Sequence, residues 1–171
     1  MRRLIPWVVA AVVVVADRLT KLAVLRHLEP GAWVPVFPGL ALTHVHNSGI
    51  AFSLFDGGGP LARLALHAVI LGAVVVIAWM LVQHGHAQPV AGFGFGLILG
   101  GAVGNLIDRV SYGWVVDFVH LWIRVGARTW SWPDFNVADS AITMGAVVLI
   151  LHELLGHRSE NGKTPDASHS D

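Results

Sequence analysis

The sequence predicts an all-α membrane protein, with four transmembrane helices and a small extracytoplasmic β-sheet. Three observations carry that expectation. Of 171 residues, 54% are hydrophobic and only 13% charged, where a soluble domain carries about 25% charge; the mean hydropathy is +0.64. Four apolar segments approach the roughly 20 residues that a hydrocarbon core requires. Two of the intervening segments read as short strands bounded by turn residues. The length suits one compact unit over residues 1–156, with helices over about 4–25, 61–82, 90–107 and 137–155. Residues 157–171 form a polar tail expected to be disordered and cytoplasmic.

The first span, Leu4 to Leu25, is interrupted by Asp17, Arg18 and Lys21. Its start also resembles a secretory signal, with Val14-Val15-Ala16 as a cleavage site. Three further spans and the polar residues beyond Ala16 favour a retained anchor. Trp33 to Phe37 and Leu40 to His46 read as strands joined at Pro38-Gly39. Gly57-Gly58-Gly59-Pro60 breaks the chain before the second span, 61–82, which is the cleanest of the four. The short loop from His84 to Pro89 makes spans two and three a tight antiparallel pair. The third span carries Gly92, Gly96, Gly100 and Gly104 at intervals of four. That is a stripe on which helix backbones approach closely, and Gly100, Gly101 and Gly104 also sit beside polar residues where they could keep a site open. Trp114 to Val119 reads as a further strand, followed by Trp122, Trp130 and Trp132, whose rings suit the headgroup level. The two extramembrane segments share one side and are able to pair into a sheet on the bilayer. An even number of spans puts both termini together. Arg2, Arg3, Arg158 and Lys163 favour the cytoplasm, although Arg26, Arg124 and Arg128 then lie outside.

Several chemistries are excluded or disfavoured. Eleven basic residues balance eleven acidic ones, so no basic surface points to nucleic acid, and the absence of cysteine removes disulfides, thiolate metal sites and a cysteine nucleophile. His152-Glu153-Leu154-Leu155-Gly156-His157 misses the zinc protease spacing by one residue, which turns the second histidine off the first one's face. His44 and His46 alternate onto one strand face and could bind a metal, but no further ligand set is evident. Ser48 with Lys21 as base lacks a nucleophile elbow. No metal or other cofactor is expected.

The polar residues near the bilayer need a physical reason, because a carboxylate there costs roughly 2.5–3.5 kcal/mol or more. Asp17 and Lys21 share a helix face and can neutralise each other. Asn105, Asp108 and Arg109 close the third span. Arg109 suits a helix C-terminus and Asp108 does not, so Asp108 is expected to have a partner, most simply an arginine. Asp117 interrupts the apolar strand-like run Val115-Val116-Asp117-Phe118-Val119, where a lone aspartate is unfavourable. Asp139 follows Asn136, and that pair is also ordinary helix-start chemistry. The expected topology nevertheless puts Asp117 and Asp139 at one membrane face. Two close carboxylates cannot both ionise readily. Such a pair offers a base to activate water and an acid to protonate a scissile carbonyl or leaving amine.

Taken in order, five segments resemble the bacterial lipoprotein signal peptidases (signal peptidase II). They are Asp17-Arg18-Leu19-Thr20-Lys21, Asn47-Ser48-Gly49-Ile50-Ala51-Phe52, Gly100 to Arg109, Val115-Val116-Asp117-Phe118, and Phe135-Asn136-Val137-Ala138-Asp139. The resemblance covers nearly everything except the polar tail. It implies an aspartic endopeptidase of the bacterial inner membrane that acts at the extracytoplasmic face on diacylglyceryl-modified prolipoproteins, cutting before the lipidated cysteine. It implies that Asp117 and Asp139 form the catalytic dyad, that Asn47, Asn105, Arg109 and Asn136 line the site or bind substrate, and that Asp17, Lys21 and Asp108 support it. Membrane lipid and globomycin-type peptide inhibitors are the other partners it implies. One departure is the stretch from His120 to Pro133, which is longer than the family pattern. The main alternative is a small proton-coupled transporter, which predicts carboxylates spread through the bilayer and an internal repeat; none is visible.

Overall fold

A computed structural model describes residues 4–49, 60–84 and 88–161. Along the chain run α1 (Ile5–His27), β1 (Trp33–Phe37), β2 (Leu40–Asn47), α2 (Pro60–His84), α3 (Pro89–Tyr112), β3 (Val115–Val125), β4 (Arg128–Ser131) and α4 (Val137–Asn161). Three helical stretches are long and apolar enough to cross a membrane: Leu64–Gln83, Pro89–Tyr112 and Val137–Leu155. The fourth helix, α1, has the length but not the composition, because Asp17, Arg18 and Lys21 interrupt it. Those side chains turn inwards. Asp17 and Lys21 are fully buried, and Arg18 reaches an acidic partner on α3.

The central helix is α3, which packs against each of the other three. Its glycines explain how. A Cβ at Gly96 would stand 2.5 Å from the Pro6 carbonyl oxygen of α1, and one at Gly100 would stand 2.7 Å from that of Ala10. On another face, a Cβ at Gly101 would collide with the Ala138 carbonyl of α4. Gly96 and Gly100 of the expected stripe therefore work as backbone-to-backbone packing, the device that replaces hydrophobic driving force where the solvent is itself apolar. In contrast, α2 leaves Leu64, Val69, Val75 and Trp79 exposed.

Several boundaries differ from expectation, each for a local reason. The third helix runs past Ile107 to Tyr112 and ends at Gly113, whose φ of 82° lets its N–H return to the Arg109 carbonyl. Asp108 and Arg109 are thus inside the last turns, not after them. β3 continues six residues beyond Val119 and turns at Gly126 to pair with β4, a hairpin that alternation alone did not reveal. α4 continues to Asn161, so the expected tail begins inside a helix; 162–171 lie outside the described residues. Met1 to Arg3, Ile50 to Phe52 and Gly57 to Gly59 also lie outside them.

The sheet has the antiparallel order β1-β2-β3-β4, so the two segments expected to lie outside the bilayer do pair. The β2–β3 register matters most. Leu42 faces Val119 and Val45 faces Asp117, so Thr43 and His44 together oppose Phe118 in a bulge. Bulges re-aim side chains, and this one sets Asn47, at the end of β2, opposite Val115.

Candidate active site

Four elements converge where the end of β2, the start of β3, the last turns of α3 and the first turn of α4 meet. Asp117 enters from β3 and is only 2% exposed. Its Oδ2 accepts a hydrogen bond from the Asn47 amide at 2.9 Å, and its Oδ1 accepts one from the Asn136 amide at 2.7 Å. Burial pushes its carboxyl up to about 7, and the charge of Asp139 adds to that; the Asn47 and Asn136 donors act the other way.

Asp139 sits in the first turn of α4 and is half-buried. Its backbone N–H donates to Asn136 Oδ1 at 2.9 Å, while its Oδ2 accepts from the Asn136 backbone N–H at 3.2 Å. That reciprocity is a capping box, built here from Asn and Asp. The ordinary helix-start reading of this pair is therefore correct, and it fixes the carboxylate in place. Asp139 Oδ1 remains for the Asn105 amide, at 2.8 Å. Asn136 is the shared member: fully buried, it touches Asp117 through its side-chain amide and Asp139 through both its backbone N–H and its side-chain oxygen.

Beneath this pair lies an ionic cluster in which Asp17, Lys21 and Asp108 are fully buried. Lys21 Nζ is 2.8 Å from Asp17 and 3.0 Å from Asp108, and it donates to Asn105 Oδ1 at 2.8 Å. Asp108 also receives Arg18 at 2.6 Å and the Val116 N–H at 3.2 Å. Its expected partner is thus an arginine, but one from α1 and not its neighbour in sequence. Asp17 Oδ1 accepts the Ala138 N–H at 3.0 Å, which occupies one of the free donors at the start of α4. Gly104 makes this possible, since a Cβ there would stand 2.6 Å from Asp17 Oδ2. Arg109 donates to the Gly49 carbonyl at 2.9 Å and lies within electrostatic reach of Asp117, Asp139 and Asp108. Its Nε is buried without a partner among the described residues.

All nine residues singled out from the sequence thus fall in one connected assembly. Two contributors were missed. Arg18 had been read only as an interruption of the first span; the signal was that a third charge in an apolar helix cannot rest in lipid. Gly49 acts through its backbone, which no side-chain pattern reveals. His152, from the rejected zinc motif, bonds Gln88 at 3.0 Å. It lies fifteen residues along α4 from the start of the helix, about 22 Å at 1.5 Å per residue. Among the described residues, no group of three or more His, Cys, Asp or Glu is placed to hold a metal.

Comparison with known proteins identifies the family. The model of the signal peptidase (SPase) II family matches residues 9–155. A lipoprotein signal peptidase of Burkholderia mallei is 46% identical over 152 residues, covering 88% of this chain and 89% of its own. One from Paraburkholderia phytofirmans is 45% identical over 152 residues, covering 88% and 86%. Two solved structures described as bacterial membrane enzymes superpose with TM-scores of 0.78 and 0.74, at 25% and 27% identity. The first covers 96% of this chain and 94% of its own, the second 87% and 92%. With so much of the chain matched by both the family model and its relatives, this protein belongs to the signal peptidase II family of bacterial membrane peptidases.

Proposed function

We propose that the chain removes the signal peptide from diacylglyceryl-modified prolipoproteins as an aspartic endopeptidase, cutting just before the lipidated cysteine, with Asp117 and Asp139 as its catalytic pair. The observation that carries this is Asn136, which holds both carboxyl groups at once while burial and the charge of Asp139 raise the carboxyl of Asp117, so that the pair retains one proton. A charge count supports the same state. In the buried cluster, Asp17 and Asp108 are balanced by Arg18 and Lys21. Above it, Asp117 and Asp139 face Arg109 among the described residues, and with one shared proton these three groups balance too.

In that state one carboxylate takes a proton from water as its oxygen attacks the scissile carbonyl. The other carboxyl group gives its proton to the forming oxyanion. Collapse of the tetrahedral intermediate breaks the C–N bond, and the amine leaves with the proton taken from water. The titration belongs to the pair, so acid and base are not assigned individually. Asn47, Asn105 and Asn136 aim the carboxyl groups, and Arg109 supports substrate. Lys21, buried between two aspartates, has no free role as a base. A lipidated substrate that stays in the bilayer meets a site at the end of the helices without extraction of its acyl chains. We read α1 as a fourth span, residues 1–156 as one catalytic domain, both termini as cytoplasmic and the sheet as extracytoplasmic. Globomycin-type peptides are expected to compete for the site.

The test is cleavage of a diacylglyceryl prolipoprotein by purified protein in detergent. Asp117→Asn and Asp139→Asn are each expected to lower the rate by at least about 10²-fold with the fold retained; full activity in either variant refutes the pair. A chelator is expected to leave activity intact, and loss in EDTA restored by zinc would indicate a metallopeptidase instead.

A further inference from the structure

His44 and His46 take no part in the chemistry above, yet they are held in an unusual relation. His44 lies in the bulge opposite Phe118 and His46 two residues further along β2, with their ring centroids 4.9 Å apart. His44 is only 4% exposed, and its Nδ1 lies 2.8 Å from the Leu28 carbonyl oxygen. A carbonyl only accepts, so Nδ1 carries the hydrogen and Nε2 keeps its lone pair. That Nε2 points at Nε2 of the exposed His46, 3.1 Å away. The His46 ring is stacked on Trp114 with centroids 3.4 Å apart and planes within 18°, which fixes its plane.

An imidazole whose other nitrogen donates to a backbone carbonyl is the arrangement in which histidine binds metals. Two such nitrogens on a tetrahedral zinc, at about 2.0–2.1 Å each, stand about 3.3 Å apart. The observed separation is within about 0.2 Å of that value, and turning the rings so that both lone pairs converge would admit the ion. We propose that His44 and His46 form a two-imidazole site for a divalent cation of the zinc or copper type, with water completing the coordination, and that its occupancy inhibits the peptidase. No third His, Cys, Asp or Glu joins them among the described residues. The site is therefore open and exchangeable, suited to regulation and not to holding the fold. Inhibition follows from sequence adjacency. The residue after His46 is Asn47, whose amide holds Asp117 at 2.9 Å, so a cation that shifts His46 against His44 pulls on that donor. This second half rests on the catalytic reading above; the first half does not.

The two halves have separate readouts. Untagged full-length protein in detergent, titrated with Cu²⁺ alone, is expected to bind one equivalent with nitrogen hyperfine structure from two imidazoles in its electron paramagnetic resonance spectrum. His46→Ala, at an exposed position, is expected to weaken binding at least tenfold, His44→Phe likewise, and Asp117→Asn not at all. Binding that survives His46→Ala, or that disappears in Asp117→Asn, overturns the site and in the latter case moves it to the carboxylates. Zn²⁺ is expected to inhibit cleavage by the wild type reversibly on adding EDTA, with His46→Ala active and at least tenfold less sensitive. Binding without inhibition removes the regulatory half and leaves the Asp117–Asp139 pair untouched.

Discussion

At Asp117 opposing influences meet on one carboxyl group, and burial prevails. Burial and the neighbouring charge of Asp139 raise it, while the Asn47 and Asn136 donors, and more distantly Lys21, favour the ionised form. A pair that works with one proton therefore loses activity on the alkaline side with a midpoint near 7, where the pair gives up that proton. Asn136→Ala removes a donor that favours the carboxylate, so this midpoint should move upwards, and kcat/KM should fall by roughly tenfold or more. A pH profile of kcat/KM for both proteins is the check, and a downward or absent shift would exclude Asp117 as the titrating group. The same shift governs stability: a carboxyl that binds its proton more tightly when folded stabilises the fold fully below its ordinary 3.8 and loses that contribution as pH rises through about 7. At this scale the sequence was informative. An aspartate inside an apolar strand has few explanations, and Asn136 next to Asp139 advertised a helix start. What it hid was that the helix-start reading does not compete with the other, because an Asp in a capping box has a second oxygen to spare.

Whole elements were legible wherever their periodicity was strong and obscure where a turn depended on one glycine. The four-residue spacing of glycines on α3 announced close packing, yet the glycines play different parts. Gly96 and Gly100 admit the α1 backbone, whereas Gly104 admits a carboxylate. The β3–β4 hairpin was missed because the exposed Arg124 to Arg128 segment has no alternation and turns on Gly126 alone. The distinction among glycines is measurable. Gly104→Ala puts a methyl group 2.6 Å from Asp17 Oδ2, which must then leave Lys21 or the start of α4; a loss of about 1–3 kcal/mol is expected. Gly72→Ala, in exposed α2 with nothing within 4 Å of the new Cβ, should gain roughly 0.5–1 kcal/mol from helix propensity alone. Thermal unfolding in one detergent should therefore move the two midpoints in opposite directions, and a matched loss in both would mean that the Gly104 effect is not specific to the carboxylate.

Across the whole molecule, one ionic cluster ties three elements together: α1 supplies Asp17, Arg18 and Lys21, α3 supplies Asp108 and Asn105, and α4 offers the Ala138 N–H. The Asp17–Lys21 pair could be read from their four-residue spacing. Its extension to Asp108 could not, since nothing in a linear pattern brings Lys21 within 3.0 Å, or Arg18 within 2.6 Å, of that distant residue. This is also why α1 fails a composition test for spanning a membrane while its charges lie inside. Burying ions is costly, and what stabilises them is completeness: each carboxylate has a cation and each cation a carboxylate. Lys21→Met should then cost about 3–5 kcal/mol, because it leaves Asp17 and Asp108 with Arg18 as their only cation. Asp17→Asn should be costly by the same reasoning, with Lys21 left partly unpaired. In the double variant the charges balance again as Arg18 with Asp108, and the amide oxygen that Asp17→Asn introduces can still accept the Ala138 N–H. The double variant should therefore be destabilised by clearly less than the sum of the two single losses, a coupling of about 1–3 kcal/mol in a double-mutant cycle. Strict additivity would mean that the two residues act independently and that charge balance is not what holds α1 in the bundle.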